Sequence, residues 1–191
     1  METLKRTLRE APIVDRGEYQ YFVHPVTDCL PEVQPDLLRE IATAFEAVVD
    51  LDRVDKIITA EAMGVHHAAA LSMQTDIPFV VARKRAYGFE DEVAVHQTTG
   101  YAEDELYINC IEDGERLLFV DDVYATGGTI RAMCDAIAET GGELVEAAVV
   151  IRRQTGEEPV DLPIEVQHLL EVDIVDGEVV ILDDVTAEAT E

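Results

Sequence analysis

Leu117-Leu118-Phe119-Val120-Asp121-Asp122-Val123-Tyr124-Ala125-Thr126-Gly127-Gly128-Thr129 joins an apolar run, two adjacent acids and a glycine-threonine loop without interruption. The run 117 to 120 has the pattern of a strand covered on both faces of a parallel sheet. Asp121 and Asp122 stand at its carboxyl end, where open α/β sheets place their ligands. Beyond the loop, Ile130, Met133, Cys134, Ile137 and Ala138 continue at helical spacing until Gly141-Gly142 ends the series, so residues 125 to 129 open a helix. Free N–H groups at such a turn, joined by the Thr126 and Thr129 hydroxyls, suit a phosphate dianion, and Gly127 and Gly128 remove the side chains that would hold it off. The helix dipole adds about 0.3 to 1 kcal/mol per exposed charge, so hydrogen bonds must supply most of the binding. Two acceptor-only carboxylates just upstream match the paired hydroxyls of a ribose, or a metal held beside them.

Other phosphate loops fit less well. A Walker A loop needs Gly-Lys-Ser/Thr, and no lysine follows Lys84. A Rossmann fingerprint needs a third spaced glycine, which Gly127-Gly128 lacks. An acidic pair alone would be read as a solvated strand end; the specificity lies in the complete string.

Working outward, residues 35 to 49 carry Leu37, Leu38, Ile41, Phe45 and Val48 on one helical face. Residues 56 to 60 read as a strand, 64 to 74 as a helix, 77 to 82 as a second strand, and 145 to 151 as a strand following 117 to 121. Strands alternating with helices imply a doubly wound, mainly parallel α/β sheet in a single domain over residues 1 to 191. Residues 82 to 114 are too long for a simple connection, and Val93, Val95, Leu106 and Ile108 suggest a hairpin there. Asp176-Gly177 within 169 to 182 is a strong type I′ hairpin signal, and the acidic tail 183 to 191 is expected to fray.

At 191 residues the chain can bury its apolar side chains in one core, roughly 70% of its unfolded surface. No apolar run is long enough for a membrane span and Met1-Glu2-Thr3-Leu4-Lys5 opens no signal peptide, so a cytoplasmic protein is expected. Cys29, Cys110 and Cys134 lack metal or disulfide spacing and read as small buried apolar residues. The 41 acids against 14 bases give a formal charge of −27. With 48% hydrophobic residues in periodic segments, this charge points to a salt-adapted folded chain rather than to acidic disorder. It also disfavours direct nucleic-acid binding, for which no basic stripe is present.

Residues 120 to 129 resemble the phosphoribosyl-pyrophosphate signature of the type I phosphoribosyltransferases, two hydrophobic-flanked acids followed by Ala-Thr-Gly-Gly-Thr. The similarity runs from about residue 21 to 151 and is closest to the adenine and archaeal hypoxanthine branches, of haloarchaeal type. The resemblance implies that Asp121 and Asp122 hold the ribose hydroxyls, and Mg²⁺ near them, while Ala125, Thr126, Gly127, Gly128 and Thr129 hold the 5′-phosphate. It places Ala62, Met63 and Gly64, after Glu61, in the family's pyrophosphate loop. It places Arg83-Lys84-Arg85 at the start of the catalytic loop, with Arg83 and Lys84 on pyrophosphate. From the residues alone, 61 to 64 is a common turn and 83 to 85 a basic corner, although cations are scarce in this chain. The aromatic stretch 19 to 28 resembles the hood of the adenine branch, so Phe22 and Tyr21 are the base-binding candidates, with residues 1 to 34 and about 160 to 182 as hood or edge elements. His66 and His67 point about 100° apart on a helix, which suits packing better than chelation.

The implied function is purine phosphoribosyl transfer, from phosphoribosyl pyrophosphate to hypoxanthine, guanine or adenine, by a Mg²⁺-dependent homodimer. Lys84, Arg83, Asp121 and Asp122 are the catalytic candidates. The hypoxanthine-guanine enzymes carry an acid where Ala125 stands, and the adenine enzymes a glutamate where Gly100 stands, beside Tyr101, so no general base is assigned. The alternative is a non-catalytic sensor of phosphoribosyl pyrophosphate or nucleotide acting through a protein partner, against which Arg83-Lys84 speaks.

Overall fold

A computed structural model describes residues 1–17, 19–99, 102–156 and 159–185. The chain runs α1 (Glu2–Arg9), β1 (Ile13–Arg16), β2 (Tyr19–Phe22), α2 (Pro25–Asp28), α3 (Pro35–Val48), β3 (Lys56–Ala60), α4 (Gly64–Thr75), β4 (Phe79–Ala82), β5 (Val93–Thr99), β6 (Ala102–Ile108), β7 (Arg116–Tyr124), α5 (Gly128–Thr140), β8 (Glu143–Arg153), β9 (Val166–Val175) and β10 (Glu178–Asp184).

The main sheet has six strands in the order β10-β9-β8-β7-β3-β4. All neighbours are parallel except β10, which returns antiparallel on β9. β7 lies inside the sheet, and Leu117, Leu118, Phe119 and Val120 are fully buried, as a strand covered on both faces requires. Strand alternation divides them between two cores. Leu118 and Val120 pack with Phe45 of α3, Leu71 of α4 and Leu4 and Leu8 of α1. Leu117 and Phe119 pack with Ile130, Met133 and Ile137 of α5 and with Val95, Leu106 and Ile108 of the β5–β6 hairpin. Helices therefore cover both faces, as the sequence pattern predicts.

Several elements go beyond the sequence reading. β7 continues through Tyr124 because β8 runs alongside and pairs Asp121 with Val149 and Tyr124 with Arg152, so both acids lie within the strand and not past its end. α1 is short and has one apolar stripe, Leu4 and Leu8; its first turn is completed from outside, where Thr3 and Leu4 N–H groups donate to the Glu40 carboxylate of α3 at 3.1 and 2.8 Å. Lys5 anchors the same helix to Asp184 of β10. β8 and β9 pair in parallel across the connection 154 to 165, whose described residues form no helix. The β9–β10 turn has left-handed Asp176 and Gly177, at φ 53 and 80, as a type I′ turn requires. Cys110 departs from the expected buried position: it is exposed, in left-handed backbone just after β6. Among the described residues, no helix is long and apolar enough to cross a membrane.

His67, from α4, and His24, before α2, are buried beside one another's elements. His67 Nε2 lies 3.2 Å from the Val26 carbonyl, and His24 accepts from Val26 N–H and meets Thr7 Oγ1 at 2.8 Å. Burial, reinforced by His66, pushes His67 down to about 3; burial pushes His24 down to about 4, against the pull of Asp28. Because unfolding restores ordinary values near 6.5, neutral burial contributes fully above that pH and is lost as pH falls toward 4 and 3. Urea midpoints are expected to fall over this window. His67→Gln should flatten the pH dependence by up to one proton, about 1.4 kcal/mol per pH unit; an unchanged slope would show that His67 does not titrate on unfolding.

Candidate active site

The site lies along the carboxyl ends of β7, β3 and β4, adjacent in the sheet, and at the loops that follow them. After β7, the chain enters α5 through Gly127 at φ 87, a left-handed position suited to glycine. A Cβ there would lie 2.8 Å from the Tyr124 ring. The loop is held from outside by 154 to 165: Val160 N–H donates to the Thr126 carbonyl at 2.9 Å, and Arg131 of α5 reaches the Asp161 carbonyl at 3.2 Å. Residues 125 to 129, with Asp121, Val123, Tyr124 and Ile130, enclose a depression of about 140 Å³.

A second cavity of about 340 Å³ lies beside the first and shares Val123 and Ala125 with it. It is lined by Asp122, by Tyr21 and Phe22 of β2, by Thr27 and Asp28 of α2, and by Arg153 of β8. Phe22 is 6% exposed and belongs to the core, whereas Tyr21 is 37% exposed with the Arg153 guanidinium 5.7 Å from its ring centre. Arg153 also donates to the Gln20 carbonyl, which fastens β2 to the end of β8.

Asp121 and Asp122 separate the two cavities, one facing each. Asp122 N–H donates to Asp121 Oδ1 at 3.0 Å. Burial, then the charge of Asp122, holds the Asp121 carboxyl well above the ordinary range, and burial pushes Asp122 up to about 6. Among the described residues neither forms an ion pair with lysine or arginine. Two half-buried, mutually repelling acids with no cation paired to them among the described residues fit a divalent ion. The carboxylate pair matches what Mg²⁺ takes from a protein, one or two carboxylates, with the rest of its shell coming from substrate phosphate and water.

The turn after β3 meets this pair directly. A Cβ on Gly64 would come within 2.0 Å of Thr59 Oγ1, 2.7 Å of Asp121 Oδ1 and 3.0 Å of the Val120 carbonyl. The Glu61–Ala62 peptide bond is cis. Glu61, whose charge threatens an anion site, faces the cation of the neighbouring strand instead: its Oε2 accepts from Arg83 Nε at 3.0 Å and from Lys84 N–H at 3.2 Å. Residues 61 to 64 and 83 to 84 thus converge on one another, with Gly64 touching the acid pair. Arg85 lies apart, its guanidinium 5.9 Å from the Tyr87 ring. Gly100 and Tyr101 lie outside the described residues. His66 is half-buried between α3 and α4, and neither histidine of α4 reaches the cavities.

A family model described as phosphoribosyl transferase domain matches residues 32–178, from before α3 into the β9–β10 hairpin. The chain belongs to the phosphoribosyltransferase family. The HGPRTase-like protein of Halobacterium salinarum is 48% identical over 184 residues, covering 96% of this chain and 98% of that protein. The hypoxanthine/guanine phosphoribosyltransferase of Methanocaldococcus infernus is 48% identical over 180 residues, covering 93% and 98%. In three dimensions, the adenine phosphoribosyltransferase of Rhodothermus marinus superposes with a TM-score of 0.68 at 28% identity, covering 89% of this chain and 97% of that one. The protein is a phosphoribosyltransferase of purine-enzyme-like sequence and fold.

Sequence reasoning missed three parts of this phosphoribosyltransferase's site. Asp28 closes the aromatic stretch, but nothing in one sequence says that α2 folds back toward β7. Arg153 was legible only as a scarce cation at a strand end. Val160 shows no local signal, because its role is a backbone bond to a loop more than thirty positions away.

Proposed function

We propose that this enzyme transfers 5-phosphoribose from phosphoribosyl pyrophosphate to a ring nitrogen of a purine, hypoxanthine, guanine or adenine, forming the nucleoside monophosphate. The carrying observation is that a phosphate-sized depression and a larger aromatic-walled cavity meet at Asp121 and Asp122. A nucleotide has this layout, with phosphate at one end, base at the other and ribose hydroxyls between.

In this reading the 125 to 129 loop donates N–H and hydroxyl groups to the 5′-phosphate. The two aspartates accept from the 2′- and 3′-hydroxyls. The Ala62-Met63-Gly64 turn, Arg83 and Lys84 receive pyrophosphate, and Phe22 and Tyr21 lie against the base. Asp121 and Asp122 would hold Mg²⁺, directly or through water, and the ion would supply charge neutralisation for the leaving group. The bond from C1 to pyrophosphate oxygen breaks with its electron pair leaving on pyrophosphate, the base nitrogen lone pair forms the new bond to C1, and the proton of the purine's imidazole ring passes to the departing pyrophosphate or to water. Lys84 and Arg83 offset the charge that grows on the leaving group. The loop from 84 to 105 closes over the site and keeps water from the electron-poor sugar. Residues 1 to 34 form the hood of a single cytoplasmic domain that works as a homodimer.

The Halobacterium relative and the −27 charge support a protein built for high salt. At about 1 M salt the screening length is only ~3 Å, which removes most of the self-repulsion. The melting temperature is expected to fall on dialysis from molar to millimolar KCl. An unchanged value would count against salt adaptation. The function itself is tested by nucleotide formation from phosphoribosyl pyrophosphate, Mg²⁺ and each purine in molar KCl. Tight phosphoribosyl pyrophosphate binding without turnover of any base would sink the enzyme assignment.

A further inference from the structure

The larger cavity has an unbalanced set of polar groups. Phe22, Val123 and Ala125 give it apolar walls, and Asp122 belongs to the sugar side. Asp28, an acceptor-only group, remains on the base side, with Thr27 and Arg153. The Thr27 hydroxyl is already committed, donating to Asp28 Oδ2 at 2.5 Å, and His24 N–H donates to the same oxygen at 3.0 Å. His24 is itself fixed by Val26 and Thr7. Asp28 is therefore held in place by one oxygen, while among the described residues the other accepts no hydrogen bond. Asp28 lines the same cavity as Asp122 and so borders the interior of the site.

We propose that Asp28 is the specificity-determining residue of the base cavity, accepting N1–H of a 6-oxopurine and favouring guanine, whose 2-amino group places a second donor beside N1–H. Arg153, a donor-only group on the same cavity, complements the carbonyl of such a base. Adenine presents an unprotonated N1 next to its amino group, and a carboxylate repels that lone pair. Hypoxanthine keeps N1–H and lacks the amino group, so it ranks between them. This inference rests on the phosphoribosyl transfer proposed above and names the purine it takes.

The test uses the full chain in molar KCl, with kcat/KM measured for guanine, hypoxanthine and adenine at saturating phosphoribosyl pyrophosphate. The wild type is expected to prefer guanine over adenine by at least ~10-fold. Asp28→Asn keeps an oxygen for the His24 and Thr27 bonds and turns the outward atom from acceptor to donor. It should lower kcat/KM for guanine by about 10- to 100-fold, the size of a lost charge-assisted hydrogen bond, and raise the adenine-to-guanine ratio. KM for phosphoribosyl pyrophosphate should stay within about twofold, since Asp28 lies on the base side and the sugar contacts are intact. Asp28→Ala, which removes the acceptor without supplying a donor, should lose guanine selectivity without gaining adenine. A wild-type preference for adenine, or a guanine-to-adenine ratio changed less than about threefold by both variants, overturns the proposal. If no base is turned over, the function fails separately, and calorimetric binding of GMP against AMP to wild type and Asp28→Asn decides the role of Asp28 by the same ratio.

Discussion

Replacing both acids, Asp121→Asn with Asp122→Asn, should weaken phosphoribosyl pyrophosphate binding by at least ~100-fold and yet raise the melting temperature of the ligand-free protein. Two charge-assisted hydrogen bonds to the sugar are each worth about 1.5 to 3 kcal/mol, and the asparagines keep only a neutral acceptor. The stability change has the opposite sign because both carboxyls are raised in the folded state, Asp122 to about 6. Groups raised in this way stabilise fully below their unfolded value near 3.8, and that contribution disappears as pH climbs through the folded values. At pH 7.5 Asp122 lies above its folded value of about 6 and carries its charge beside a half-buried Asp121 that repels it, so the neutral isosteres are the more stable. A gain of about 2 to 5 °C in matched molar KCl is expected, and it should shrink as the pH is lowered toward 4. Calorimetric titration and thermal melts read both halves. Retained affinity would place the sugar elsewhere; a strongly lowered melting temperature would make the acids structural.

Gly64→Ala is expected to have the other large effect. Its methyl group has no room: Thr59 Oγ1 is fully buried at 2.0 Å from the Cβ position, and the Val120 carbonyl at 3.0 Å is backbone inside the sheet. The remaining neighbour, Asp121 Oδ1 at 2.7 Å, is one of the groups the site depends on. Relief must come from moving the start of α4 away from β7 or displacing the Asp121 carboxylate. Overpacking of this kind costs about 1 to 3 kcal/mol, and displacement of a positioning group by about 1 Å costs on the order of 100-fold in kcat/KM. Urea unfolding and steady-state kinetics check the two effects. Gly114→Ala serves as the control, because a Cβ there meets nothing within 4 Å and the position lies outside the site, although its left-handed backbone, at φ 75, carries a penalty of its own of about 1 to 2 kcal/mol. If Gly64→Ala retains activity within tenfold of wild type, α4 does not abut the cradle as described.

The parts of the fold that were legible share a physical property: their pattern is set by neighbours close in sequence. The 117 to 129 string, the amphipathic spacing of α3 and the Asp176-Gly177 turn each satisfy their requirements over a few residues. β3 matches residues 56 to 60 because Ile57, Ile58 and Ala60 form a short apolar run, buried in the sheet and interrupted only by the small Thr59. α1 was not legible, since Leu4 and Leu8 make a helix only once Glu40, more than thirty residues away, satisfies its first turn. The exposed Cys110 went astray for the reverse reason: a small apolar side chain does not reveal that its backbone turns left-handed at the surface.

The same division holds at the site. By itself, the sequence determined that a strand delivers two acids and a glycine-threonine loop to a helix, because strand burial, helix spacing and the freedom of Gly127 are local properties. What stands around that string depends on contacts that form only in the folded chain. Folding turns Glu61 toward Arg83, sets Gly64 against Asp121, and brings Asp28 and Arg153 to one cavity from opposite ends of the chain. These juxtapositions follow from sheet order and from the fastening of β2 to the end of β8, and distances between segments far apart in a chain are fixed by the folded core, not by the composition of either segment.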